Sequence, residues 1–166
     1  MGIDPGSRAT GYAFLEINAA PAEPRLVECG AVRVPPGRSH ALRLRAIFEK
    51  IQALLRKHRP AEVAVEAVFH AKDARAALLL GQARGAALAA VGERGVSVFE
   101  YSPLSIKKTV AGYGRAPKEQ VQRMVLALLN LHDAPSARMS ADASDAAAVA
   151  LCHAAHRAAR ARGLVS

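Results

Sequence analysis

The order in which strand-like and helix-like segments follow one another constrains this chain more than any single residue does. Residues 1–4, about 10–17 and 26–34 are apolar and of strand length. Turn formers separate them: Pro5-Gly6-Ser7-Arg8 after the first, and Pro21 and Pro24 before the third. Pro35-Pro36-Gly37 ends the third strand. Ser39 then offers an N-cap, and Leu44, Ile47, Phe48, Ile51, Leu54 and Leu55 recur at helical spacing as far as Pro60. From there the pattern alternates. Residues 63–67 read as a short buried strand, 73 to about 91 as a helix and 96–101 as a strand. A short helix runs from Pro103 to Val110, and a Gly-rich loop covers 111–115. Pro117 suits the first position of the next helix, and Ser140 suits the cap of a last helix over about 141–160. The order β-β-β-α-β-α-β-α-α-α predicts an α/β fold, a mixed sheet of about five strands with helices on both faces. At 166 residues it predicts one domain over 1–166, with a flexible tail from about 161.

Within this expected fold, four carboxylates stand in places where a surface acid is not expected. Asp4 closes the first strand ahead of Pro5-Gly6. Glu66 interrupts the apolar run Val63-Ala64-Val65-Glu66-Ala67-Val68-Phe69. Asp142 and Asp145 lie three apart on one face of the last helix. Taken singly, each has a plain structural reading. Asp4 can initiate a turn, and Asp142 and Asp145 can complement a helix macrodipole. Glu66 is harder to dismiss, because sites in α/β sheets gather at strand ends.

Charge sharpens the reading. The chain has 23 Lys+Arg against 14 Asp+Glu, a net charge of +9, which favours a polyanionic partner. A basic protein that still clusters carboxylates beside its core suggests divalent cations held next to nucleic acid, the chemistry of a nuclease. Cleaving a phosphodiester with two cations roughly 3.5–4 Å apart needs oxygen ligands from several chain segments, and Mg²⁺ prefers carboxylate and water ligands. Lys107, Lys108, Arg115 and Lys118 surround the loop at Gly112 to Gly114 and are candidates to follow a phosphate chain. Phe69 is followed by the polar His70, Lys72 and Asp73; an exposed ring there would stack on or wedge between bases, and a core ring is the alternative. His153, eight residues after Asp145 on the same helix, reads first as a packing residue, with approach to a metal as the alternative.

Cys29 and Cys152 are far apart and lack metal-ligand spacing, as in a reduced cytoplasmic protein. No secretory or membrane-spanning pattern is visible. The second helix is apolar nearly all round, with Gly81 and Gly85 four apart. It suits a subunit interface in a symmetric dimer, or a helix buried within one chain.

Together these residues resemble the RuvC family of Holliday-junction resolvases. Gly2-Ile3-Asp4-Pro5-Gly6-Ser7-Arg8-Ala9-Thr10-Gly11-Tyr12 resembles the family's opening motif, and Val65-Glu66-Ala67-Val68-Phe69-His70-Ala71-Lys72 its second. Gly81-Gln82-Ala83-Arg84-Gly85 resembles its interface-helix segment. The run from Lys107 to Lys118 resembles its DNA-contacting loop, and Ala141-Asp142-Ala143-Ser144-Asp145-Ala146 its paired-carboxylate motif. The resemblance implies an RNase H-like fold and a homodimer that nicks opposed strands of a four-way DNA junction in recombination and repair. It implies two Mg²⁺ per active site, with Mn²⁺ as substitute, held by Asp4, Glu66, Asp142 and Asp145. Lys107 and Lys118 would lie near the DNA backbone and Phe69 would probe base pairs near the crossover. It also implies work alongside the RuvA–RuvB branch-migration complex.

Two features depart from the family. Ala67 stands where relatives usually carry Glu or Gln, and only three residues precede Asp4 where relatives have a few more, so either the start codon is misassigned or the edge of this short first strand is frayed. Competing readings are an actin- or Hsp70-like ATPase, for which 166 residues leave no room, a monomeric ribonuclease H, and a non-catalytic junction-binding protein.

Overall fold

The structure is a computed structural model that describes residues 1–6, 8–17, 23–34, 37–67, 73–131 and 139–163. The elements are β1 (Gly2–Asp4), β2 (Ala9–Glu16), β3 (Arg25–Arg33), α1 (His40–His58), β4 (Glu62–Glu66), α2 (Ala74–Gly92), β5 (Ser97–Tyr101), α3 (Pro103–Ala111), α4 (Lys118–Leu128) and α5 (Ala141–Ala161). The five strands form one mixed sheet in the order β3-β2-β1-β4-β5. β1 pairs antiparallel with β2 and parallel with β4, β2 pairs antiparallel with β3, and β4 pairs parallel with β5. The expected element order and mixed sheet are both found.

The short first strand is not a frayed edge. β1 lies at the centre of the sheet, hydrogen-bonded on both sides, and Ile3 is fully buried. Three residues suffice because Gly2 and Ile3 are paired with a neighbour on either side and Asp4 with Gly11 of β2. Pro117 also differs from expectation. It occupies the N-cap of α4 rather than the first helical position, and it makes no side-chain cap. Ser39, Ser102 and Ser140 cap α1, α3 and α5 as their chemistry predicts, each accepting a backbone N–H from three residues on.

Alternation along the strands divides the core in two. Ile3, Tyr12, Phe14, Val63 and Val65 face α1 and α2, where Ile47, Ile51, Leu54, Ala83, Ala87 and Val91 complete one cluster. Ala13, Ala64 and Tyr101 face α3, α4 and α5, against Ile106, Val110, Val125 and the alanines of α5. Among the described residues no helix is long and apolar enough to cross a membrane.

The contact between α5 and the sheet is unusually close. A Cβ built on Gly2 would sit 2.3 Å from the Ala146 carbonyl oxygen, and one on Gly11 would sit 2.0 Å from that of Asp142. No side chain fits there, so the helix backbone rests directly on β1 and β2. The same crowding accounts for the alanines on α5: Ala143, Ala146, Ala147 and Ala150 are buried where a longer side chain would hold the helix off the strands.

Candidate active site

Pleating and register bring the acids together. On β1, Gly2 and Asp4 point to the α5 side while Ile3 points away. On β4, Ala64 and Glu66 do the same. Because β1 and β4 are adjacent and parallel, Asp4 and Glu66 finish their strands side by side, and they share a side-chain hydrogen bond. Asp4 is the register partner of Gly11, the residue beneath the Asp142 carbonyl, so the first turn of α5 lies over the same strand ends.

A cleft of about 200 Å³ opens there, lined by Asp4, Glu66, Asp145, Lys107, Lys118, Pro103, Ile106, Val121 and Ala148. Three of the four predicted carboxylates and two of the predicted cations meet in it. Asp142 does not line it, and its carboxylate is ion-paired with Arg33. Lys118 Nζ donates to Asp145 Oδ2 at 2.6 Å. Lys108 and Arg115 are exposed on the C-terminal turn of α3 and on the following loop, and do not line the cleft. Phe69 lies outside the described residues.

The electrostatics follow from crowding. Burial, and after it the charge and hydrogen bond of Glu66 and the charge of Asp145, push the Asp4 carboxyl well above the usual carboxylate range, with Lys118 opposing. Burial also pushes Glu66 up, assisted by Asp145, while the hydrogen bond to Asp4 and the charges of Lys107 and Lys118 pull it down. Lys118 is raised, first by its hydrogen bond to Asp145 and further by the charges of Asp145, Asp4 and Asp142. It is also the first residue of α4, where a cation opposes the helix dipole. Those carboxylates offset that cost.

Among the described residues no three acidic, histidine or cysteine side chains close on one point as an assembled metal cage. The donor set nonetheless suits a hard divalent cation. It is wholly carboxylate, it is partly withdrawn from water, and its mutual repulsion is offset by the cations Lys118 and Arg33.

His153 is a packing residue, as expected. It is buried at the other end of the sheet, with Nδ1 2.9 Å from the Tyr101 hydroxyl and Nε2 3.0 Å from a Glu62 carboxylate oxygen. Two arginines that sequence reasoning missed touch the site. Arg33 reaches Asp142, and Arg43 donates to the Gly6 carbonyl at 2.9 Å, fastening the turn after Asp4 to α1. Arg43 carried a signal: it is a cation in the first turn of a helix with no acidic residue there.

A family model described as "Crossover junction endodeoxyribonuclease RuvC" matches residues 1–153. The RuvC of Pelotomaculum thermopropionicum is 46% identical over 156 residues, covering 94% of this chain and 92% of that protein. The RuvC of Halorhodospira halophila is 50% identical over 159 residues, covering 96% and 91%. Among solved structures, Thermus thermophilus RuvC in complex with a Holliday junction substrate superposes with a TM-score of 0.84 at 35% identity, covering 94% of this chain and 92% of that one. The yeast mitochondrial Holliday junction resolvase Ydc2, at 14% identity and a TM-score of 0.65 over 96% of this chain and 82% of its own, shares the fold. With strand-end acids, overlying helix and five-strand order all in one arrangement, and with family similarity running from residue 1 to 153, the chain belongs to the crossover junction endodeoxyribonuclease RuvC family.

Proposed function

We propose that this protein is an endonuclease that resolves four-way DNA junctions by paired nicks, using divalent cations held by Asp4, Glu66, Asp142 and Asp145. The observation that carries the reading is the convergence of Asp4, Glu66 and Asp145 with Lys107 and Lys118 around one cleft, in a chain of this family. The relatives bear the name of crossover junction endodeoxyribonucleases, and one neighbour is held in complex with a Holliday junction.

Bound Mg²⁺ or Mn²⁺ would activate the attacking water and stabilise the leaving 3′ oxygen. The chain's own groups do the remainder. Lys107 in the last turns of α3 and Lys118 at the start of α4 flank the carboxylates and hold a phosphodiester over them by charge. Pro103, Ile106, Val121 and Ala148 give the cleft an apolar wall, which strengthens each electrostatic contact inside. Lys108 and Arg115, exposed beyond the cleft, extend the positive track for the DNA backbone. Phe69 belongs to this reading as the residue that probes base pairs near the crossover.

The paired nicks call for a homodimer. The outward face of α2 supports one: Leu78 is 67% exposed, and Gly81 and Gly85 have nothing within reach of a Cβ. A helix buried within one chain would not present that stripe. Cooperation with the RuvA–RuvB complex belongs to the same proposal.

The deciding experiment offers a synthetic four-way junction, a linear duplex and an RNA–DNA hybrid to the protein with Mg²⁺ and with EDTA. Paired, Mg²⁺-dependent nicks confined to the junction are expected. Cleavage of the hybrid would move the assignment to a ribonuclease H, and junction binding without cleavage would make the protein a junction-binding module.

A further inference from the structure

Arg33 is the last residue of edge strand β3. Its register partner is Ala9, two residues from Gly11, so its side chain emerges on the face that carries Asp4 and α5. There the guanidinium is ion-paired with Asp142, in parallel with Lys118 on Asp145. The two pairs differ in setting. Lys118 lines the cleft, whereas Arg33 does not and has 57% of its side chain exposed.

A guanidinium hydrogen-bonded to a carboxylate oxygen and a divalent cation compete for the same lone pairs. Arginine cannot resolve that competition by losing its proton, because it stays charged at any working pH. It must move. Its exposure makes the move inexpensive, since surface ion pairs hold weakly. Its place at the end of an edge strand also leaves the released side chain in solvent, beside the strand ends where a phosphate backbone would lie.

We propose that Arg33 is an exchangeable positioning residue. It neutralises Asp142 while no divalent cation is bound, cedes that carboxylate when cation and DNA arrive, and turns to a DNA phosphate. This rests on the reading of Asp142 as a cation ligand. Arg33 thereby couples the two binding events, because DNA that draws the guanidinium away frees a cation ligand and cation binding frees a phosphate contact.

The test is a titration of the purified protein with Mn²⁺, following free Mn²⁺ by electron paramagnetic resonance, with and without a four-way junction. Wild type, Arg33→Gln, Arg33→Lys and Asp142→Asn are compared. Without DNA, Arg33→Gln should bind Mn²⁺ about two- to fivefold more tightly than wild type, the worth of a surface ion pair. With saturating junction the two should bind alike, and Arg33→Lys should fall between them without DNA. Arg33→Gln should also lose about one unit of salt dependence in junction binding. Equal or weaker Mn²⁺ binding by Arg33→Gln without DNA overturns the exchange while leaving the cation site standing. Unaltered Mn²⁺ binding by Asp142→Asn overturns Asp142 as a ligand, and the exchange with it. A purely structural Arg33 would shift thermal stability and leave both titrations unmoved.

Discussion

At the scale of single residues, the site is a set of like charges that the protein tolerates rather than one that stabilises it. Asp4→Asn, Glu66→Gln and Asp145→Asn should each reduce junction cleavage by about 10²–10³-fold or more, with junction affinity in EDTA nearly unchanged. Parallel gel-shift and cleavage assays check this, and loss of binding in all three would mark the cluster as structural. Because burial, and after it Glu66 and Asp145, disfavour the charged form of Asp4, Asp4→Asn should also melt at a higher temperature than wild type in the absence of divalent cation. These acids were legible because each broke a local rule: Glu66 sits in an apolar strand and Asp4 at a strand end. Arg33 broke none. Its role depends on an irregularity between Phe14 and Leu15, which shifts the β2–β3 register by one residue. Without that extra residue Arg33 would lie opposite Arg8 and face the other side of the sheet. Nothing in the local sequence announces such a shift.

At the scale of elements, α5 carries the burden of alignment. Gly11→Ala would drive a methyl group against the Asp142 carbonyl, with no flexible side chain to yield. We expect a loss of about 1–3 kcal/mol in urea unfolding and a larger proportional loss of cleavage, because the first turn of α5 must lift away from Asp4. The far half of the helix is secured differently. His153 is held below the usual histidine range, chiefly by burial and also by the charges of the chain's amino group and Arg160, with Glu62 opposing. Tyr101 from β5, Glu62 from β4, and Arg157 and His156 from α5 itself surround it, with the Phe99 ring 4.6 Å away between centroids. Neutral His153 satisfies both neighbours, accepting from the Tyr101 hydroxyl and donating to Glu62. A folded pKa below the unfolded 6.5 means that its contribution is present above about pH 6.5 and fades as the pH falls through the folded value. Wild type should therefore lose more stability between pH 7 and pH 5 than His153→Gln, as read from unfolding midpoints across that range. The helix itself was legible from the Ser140 cap and the alanine-rich run that follows it. Its intimate seat was not, because a glycine in a strand does not name the element that will press on it.

At the scale of the whole molecule, the outward stripe of α2 and the polarity of the sheet work together. β1 and β4 are parallel, so both acids fall at one end of the sheet, and α5 crosses to the same end. If α2 pairs with its copy, two such ends are presented by one particle. Leu78→Arg should convert a dimer to a monomer in sedimentation equilibrium and replace paired junction nicks with single, uncoupled ones. A wild-type protein that sediments as a monomer at micromolar concentration would refute the α2 interface. The apolar character of α2 was plain in the sequence. Which side faced α1 was not, since Ala83, Ala87 and Ala90 differ little from Ala77 and Ala89 as residues and only the tertiary packing chose between them.

The seat of α5 on Gly2 and Gly11 has a further consequence, for evolutionary drift. Cores repack around altered side chains by changing rotamers, and neighbouring elements shift as they do so. Where backbone stops against backbone there is no rotamer to change, and the spacing is set by the polypeptide itself. The apolar residues behind the strands can then be exchanged over long lineages while the acids keep their mutual geometry. The active site is gauged from a datum that mutation of its surroundings does not move.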